Sequence, residues 1–456
     1  MTTVRRSRVS LLAALAPWML LATAFAGGPL TVGGPNNGTP GQAFVWNPAA
    51  MPIQYRVDVG PMSTTSNGQV VINNATGLQR VQAMFANWQQ APHAAIQYQY
   101  AGPILSQGGT PLPDVATLSD YNTVVGLCQS GTESPVIFDA AGAIISALGL
   151  PPDIIGFASP CKLDAQTGYI DSAFALLNGQ FQDGIDAYPN MELTATQFDQ
   201  AITHELGHFS GLAHSQINDS ILNAGYPCPL DQLAGLPLMF PFLACQSRID
   251  AGLPILAPDD QAWLAKLYPA QDFNSAYGTI KGYILFSDGQ SQVQGANVIA
   301  RSTTQPLQVA VSAVSGYRFT GNPGQSVTGD NTGGSSNGSR DATLIGYYEI
   351  PVPPGTYTVE VESIDLTFQG GSGLGPLDPP IPLPGQHEYW HNDESAFDDP
   401  TVSDPITVNG GQTVDQINII LNGTQPRFDQ FEDPGVWLQW PEILQNLAPR
   451  KTGEPA

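Results

Sequence analysis

His204-Glu205-Leu206-Gly207-His208-Phe209-Ser210-Gly211-Leu212-Ala213-His214 decides how the rest of this chain is read. Residues four apart share a helix face, so His204 and His208 present their imidazoles to one point. Such a pair is a metal-binding arrangement, and Glu205, one residue on, projects near enough to take a proton from a water at that metal. His214 stands six beyond His208 and would point elsewhere if the helix continued. Gly211 resolves that: a glycine can take positive φ, end the helix and swing His214 back. The outcome is three neutral nitrogens and one open position, the arrangement of a catalytic zinc site. With six His and eleven Glu in 456 residues, a random H-E-x-x-H is expected about 0.002 times.

Working outward, Thr194 with Gln197 three residues on is a capping box that starts this helix. The stretch 53–58 alternates as a strand, and 77–98 carries Leu78, Val81, Met84, Phe85 and Trp88 at helical spacing. Short strand-like runs follow at 123–125, 135–138, 154–158 and 169–177. Asp259 and Asp260 precede an amphipathic run at 263–268, acids in the first turn of a third helix. Beyond it, 277–422 reads as all-β, with strands at 279–286, 296–300, 347–352, 357–361 and 414–421. Within that zone, 316–346 reads as a mobile loop rich in Gly, Ser, Asn and Thr, and 370–385 is a Pro/Gly-rich second one. The reading gives a signal peptide at 1–26, a flexible leader at 27–44, a catalytic domain at 45–270, a β domain at 277–422 and a tail at 423–456. The tail holds Trp437 and Trp440 and is too short for a domain.

Composition bounds the partners. Apolar residues make up 42%, enough for real cores, while charged residues are only 12%, with 48 Gly and 40 Pro. Few charges and many turn formers favour β-rich domains with long loops. The net charge of −24 argues against nucleic-acid partners, because phosphate neutralisation needs clustered Lys and Arg. Calcium suits such a surface better. Arg5, Arg6 and Arg8 precede an apolar stretch at 9–22 that ends in Ala24-Phe25-Ala26, the pattern of a cleaved secretory signal. Its removal takes the charge to −27, since three Arg and no acids leave. The apolar run is short for a membrane span, so the mature protein is expected to be exported without stable membrane insertion. Four Cys in such a chain most economically form two disulfides; three connectivities are possible, and locality favours Cys128–Cys161 and Cys228–Cys245. Zinc thiolates are the rival, but there is no C-x-x-C.

The string 204–215, H-E-L-G-H-F-S-G-L-A-H-S, resembles the zinc signature of the metzincin clan, and Ser215 after the third His resembles its matrixin branch. Pro237-Leu238-Met239-Phe240-Pro241 is similar to the clan's Met-turn, and the resemblance places Met239 beneath the metal. The position two after that Met, where some relatives carry a tyrosine ligand, is Pro241. The resemblance covers about residues 45–270 and implies an α+β fold, a mixed twisted sheet carrying the active-site helix. It also implies that the edge strand around Gly156, Phe157 and Ala158 holds peptide substrate antiparallel. A second, structural zinc is not expected, because only His93 remains elsewhere in this zone, and no cysteine precedes Cys128 to form a cysteine switch. The family's calcium sites are suggested only by Asp139, Asp164, Asp183 and Asp186 in Gly-containing loops. The second zone resembles a prealbumin-like, carboxypeptidase-regulatory β-sandwich in 282–284, 295–298 and 346–357, with no catalytic residues.

These readings lead to a secreted zinc endopeptidase: Zn2+ on His204, His208 and His214, Glu205 as general base, Ca2+ as a further cofactor, protein or peptide substrates. The alternative is an exported binding or adhesion protein whose zinc site is vestigial and whose β-sandwich does the work. Oligomeric state is left open. One further string competes: His387-Glu388-Tyr389-Trp390-His391 is a second H-E-x-x-H. Pro384-Gly385 before it and Asn392-Asp393 after it leave room for little more than one helical turn or two. No His follows, although Asp393 or Glu394 could serve as a third ligand. Its setting predicts that Tyr389 and Trp390 pack on the sheet while both histidines meet solvent.

Overall fold

The computed structural model describes residues 27–34, 36–186, 191–243, 245–319, 339, 341–365 and 383–423. The expected signal peptide, most of the 316–346 loop, most of 370–385 and all but the first residue of the tail lie outside the described residues.

In chain order the first half runs β1 (Val45–Trp46), β2 (Ile53–Val57), a hairpin of β3 (Ser63–Thr64) and β4 (Val70–Ile72), then α1 (Asn74–Gln89). β5 (Tyr98–Pro103), α2 (Leu118–Ser130), β6 (Pro135–Asp139) and α3 (Ala143–Ala147) follow, then β7 (Gly156–Asp164), β8 (Tyr169–Asn178) and α4 (Ala195–Phe209). The shorter α5 (Leu230–Gly235), α6 (Pro258–Leu267) and α7 (Phe273–Ala276) close it. One six-stranded sheet is ordered β1-β8-β6-β2-β5, parallel at every one of those pairings. β7 is its exception, antiparallel along the other side of β8. Helices and several sheets together make the chain α+β.

The β-branched run 123–125, expected as a strand, lies inside α2. Thr117 and Asp120 form a capping box that starts this helix, Gly131 ends it in the left-handed region, and Tyr121, Val124 and Cys128 line its buried face. Helical spacing and two good ends outweigh β-propensity here. α1 begins at an Asn73 cap and buries Val81, Met84, Phe85 and Trp88 against the core. The leader is not free of the body: Gly27 N–H donates to His214 O at 2.7 Å, and Leu30 N–H to Gly211 O at 2.7 Å. Leu30, Val32 and Phe44 are buried, and these apolar contacts hold the segment down.

The second half contains β9 (Gly278–Leu285), β10 (Asn297–Ser302), β11 (Ala310–Val314), β12 (Tyr347–Val352) and β13 (Gly355–Glu362). β14 (Glu388–Tyr389), β15 (Ile406–Val408), β16 (Thr413–Val414) and β17 (Ile419–Ile420) complete it. Five strands join as β11-β10-β13-β14 with β15 on β13; four join as β12-β9-β16 with β17 on β9. β9 alternates buried and half-buried residues along its length, as a sheet with one covered face requires. The two halves meet through buried polar contacts as well as apolar packing. Ser312 receives Trp263 Nε1–H on its carbonyl at 2.7 Å and donates its own amide to Asp259 at 2.8 Å. Ser215 and Ser312 hydroxyls lie 2.8 Å apart, and Asn297 donates to Gln216 O at 2.8 Å. The segment just after His214 is therefore pinned from behind by the β-rich half.

Candidate metal centre

Helix α4 starts on the expected capping box: Thr194 accepts from Gln197, whose side chain receives the Thr194 amide. Its buried face carries Phe198, Ile202, Leu206 and Phe209. Gly211 takes φ +87°, with its amide on His208 O at 2.9 Å and the Leu212 amide on Gly207 O at 3.0 Å. Those two bonds are a Schellman turn, in which a left-handed residue satisfies the last carbonyls of the helix. The turn also brings the Leu212 carbonyl to 2.8 Å from His208 Nδ1. His204 Nδ1 lies 2.7 Å from Leu238 O. A carbonyl only accepts, so each Nδ1 carries the ring proton and each Nε2 keeps its lone pair.

The three rings converge on those lone pairs. His208 Nε2 is 3.1 Å and His204 Nε2 is 3.2 Å from His214 Nε2. Tetrahedral ligands at about 2.0–2.1 Å from zinc stand about 3.3–3.4 Å apart, so the spacing fits one small cation. Burial pushes His204 down to about 4 and His208 to about 3, the neighbouring His204 adding to the latter, against the opposing pull of the two carbonyls. These two imidazoles are thus neutral at physiological pH, as ligation requires. Glu205 is buried beside them, with one carboxylate oxygen taking the Ala158 amide while Oε2 is buried without a hydrogen-bond partner. Burial lifts its carboxyl to about 8, the Ala158 amide opposing. A buried carboxylate oxygen left unpaired is costly unless a cation or a polar ligand joins it.

The predicted residues come together here. β7 carries Gly156, Phe157 and Ala158, and among the described residues no strand pairs with its other side. A Cβ on Gly156 would lie 3.1 Å from Glu205 Cγ and 2.8 Å from Leu176 O, so only glycine lets the strand lie this close. Met239 packs under α4, where a Cβ on Gly207 would collide with its sulfur. Sequence reasoning missed what holds Met239. Asp260 accepts the amides of Leu238 at 2.8 Å, Met239 at 3.1 Å and Ala257 at 2.7 Å, fixing the turn whose Leu238 carbonyl orients His204. The cysteines pair as Cys128–Cys161 and Cys228–Cys245, the latter closing the 237–241 turn into a loop.

The four suggested calcium residues do not gather among the described residues. Asp139 spends both oxygens on the amides of Ile144 and Ile145, and Asp164 takes those of Gln166 and Thr167 in a tight turn. Asp183 accepts from Ile185 and Asp186 from Glu192, again locally. His93 sits apart from the centre, 2.9 Å from Asp272. The second H-E-x-x-H forms no helix: Glu388 and Tyr389 lie in β14, antiparallel to β13. His387 is half-exposed beside Glu360, but His391, expected in solvent, is buried with Nε2 3.0 Å from Asp398. An extended strand turns alternate residues to opposite sides, so Glu388 goes inward. Burial first, then the charges of neighbouring acids, lifts Glu388 and Glu394 to about 7, against backbone amides that favour the charged form.

No protein-family model matches this chain, and no curated protein matches it.

Proposed function

We propose that this chain is an exported, matrixin-like zinc endopeptidase of the metzincin clan, followed by a β-sandwich domain. The observation that carries the reading is the convergence of three Nε2 atoms, those of His204 and His208 left with free lone pairs, beside the unpartnered Oε2 of Glu205. His204, His208 and His214 would hold a zinc ion, which would supply an acidified water and a Lewis acid for the scissile carbonyl. Burial alone would keep Glu205 largely protonated; the charge of the bound cation would hold it ionised, so that Oε2 would act as general base, taking the water's proton and returning it to the leaving amine. The Ala158 amide on the other oxygen fixes the direction of that carboxylate. Neutral His204 and His208 add no positive charge of their own that would hold the proton back.

The free edge of β7 supports an extended peptide bound antiparallel, with main-chain hydrogen bonds supplying affinity. Local, paired cysteines and the Arg-led apolar N-terminus support export. The test is cleavage of a generic protein substrate by the purified mature chain. Activity is expected to vanish with a zinc chelator and return with about one equivalent of Zn2+. Fully zinc-loaded protein that leaves every protein substrate intact would favour a binding role for the β-rich half instead.

A further inference from the structure

Far along the chain from the histidine centre, three carboxylates meet at the junction of the two sheets of the second half. Glu388 stands on β14 of the five-stranded sheet, and Glu394 and Asp398 lie in the loop after it. Glu394 Oε2 accepts the amide of Ile420 on β17, which belongs to the four-stranded sheet, at 2.8 Å. Asn422 follows: its amide reaches Glu388 Oε2 at 3.0 Å, and its Nδ2 reaches Asp398 Oδ1 at 2.8 Å. One oxygen from each of the three acids lies within 4.8 Å of the others.

Three buried atoms at this cluster make no hydrogen bond, one of them His391 Nε2. Glu388 is 1% exposed, yet its Oε1 has no hydrogen-bond partner, and Asn422 Oδ1 is likewise buried and unpartnered. Asn422 turns its NH2 to Asp398, and the oxygen of the same amide stays buried without a partner. His391 does not convert the group into a zinc site. The Asp393 amide donates to its Nδ1 at 3.1 Å, which leaves Nε2 carrying the ring proton toward Asp398. A protonated ring nitrogen has no lone pair to offer a metal, so the donors that remain are all oxygen. Oxygen ligands at 2.3–2.6 Å from an ion stand up to about 4.6–5.2 Å apart across it, the spacing calcium takes. We propose that Glu388, Glu394, Asp398 and the side-chain oxygen of Asn422 bind one calcium ion, which clamps the 388–398 loop and the end of β17 together. The site is independent of the zinc reading, since it shares no residue with it.

The test is calorimetric titration of the zinc-loaded, full mature chain with CaCl2 in calcium-free buffer, with the thermal midpoint followed in parallel. One site per chain is expected, with a dissociation constant on the order of 10⁻⁴–10⁻³ M, as in extracellular modules. The midpoint should rise with CaCl2 as binding to the folded state demands. Glu388→Gln and Asp398→Asn should each weaken calcium by about tenfold or more and flatten the rise in midpoint, while each keeps its zinc. Should Glu388→Gln fail to fold, Asp398→Asn and the wild-type titration decide alone. Absence of saturable heat and of any midpoint shift would overturn the site. So would an unchanged dissociation constant in Asp398→Asn, or magnesium binding more tightly than calcium.

Discussion

Asp260→Asn removes one charge from the buried group that shapes the floor of the histidine centre. In the native chain the two carboxylate oxygens accept three amides, Leu238 and Ala257 on Oδ2 and Met239 on Oδ1. Asparagine fills the same volume, but its single oxygen can replace only Oδ2, and its NH2 then faces the Met239 amide. One buried donor is left unpaired, which costs about 1–3 kcal/mol. The attraction to buried Arg248, which holds the carbonyls of Leu233, Leu236 and Pro254, is lost as well. Because the same turn presents the Leu238 carbonyl to His204, zinc affinity should also fall, by roughly 10–100-fold, the usual worth of a partner behind a metal ligand. Urea unfolding of the metal-free chain reads the first effect, and competition with a chromophoric zinc chelator reads the second. A variant that loses stability but binds zinc as tightly as wild type would refute the claim that Asp260 positions the ligand.

Asp259 gives a pH-dependent counterpart. Burial and the adjacent Asp260 raise its carboxyl to about 8, so between the ordinary carboxylate range and pH 8 the folded state keeps a proton that the unfolded chain has released. Wild-type stability from this group is therefore present in acid and lost as pH rises through that window, whereas Asp259→Asn, still able to accept the Ser312 amide, carries no such slope. The variant should gain on wild type between pH 5 and pH 8 in denaturant unfolding (a window of about that width), and a constant difference would contradict the assignment. Cys228→Ala with Cys245→Ala opens a loop of sequence separation 17 and should cost about 3 kcal/mol, read by urea unfolding; an unchanged midpoint would deny the bridge any role. His387→Ala should leave zinc stoichiometry and peptidase activity unchanged while His208→Ala removes both, and the reverse pattern would put the centre in the wrong half.

The part of the centre legible in the sequence is the part built from short spacings. His204 and His208 are one helical turn apart, and Gly211 is the glycine that a reversal toward His214 demands, so periodicity and one conformational rule suffice. Local cysteine pairs are legible for the same reason. Asp260 is not, because its three amides lie across a turn formed some twenty residues earlier, and only the fold brings them together. At 123–125 the β-branched residues favour a strand, and the caps at Thr117 and Gly131 override them. β11 at Ala310–Val314, with all five residues buried, escaped because small residues give no alternation to read. The Gly, Pro and Asn content of the leader suggests a loose segment, yet Leu30 and Val32 are buried and Leu30 hydrogen-bonds Gly211 just past the end of α4. Spacing offers Glu394 only as a third metal ligand for the second H-E-x-x-H, and it is Asn422 and Ile420, distant in sequence, that give Glu388 and Glu394 their setting.

Glu205→Gln measured for metal and activity together tests the central claim most directly. The substitution keeps the shape of a side chain held between α4 and β7 and removes only its capacity to take a proton. The account predicts one zinc per chain, as in wild type, with cleavage of a protein substrate reduced at least about 10²–10⁴-fold. Full zinc occupancy with wild-type cleavage rates would contradict it.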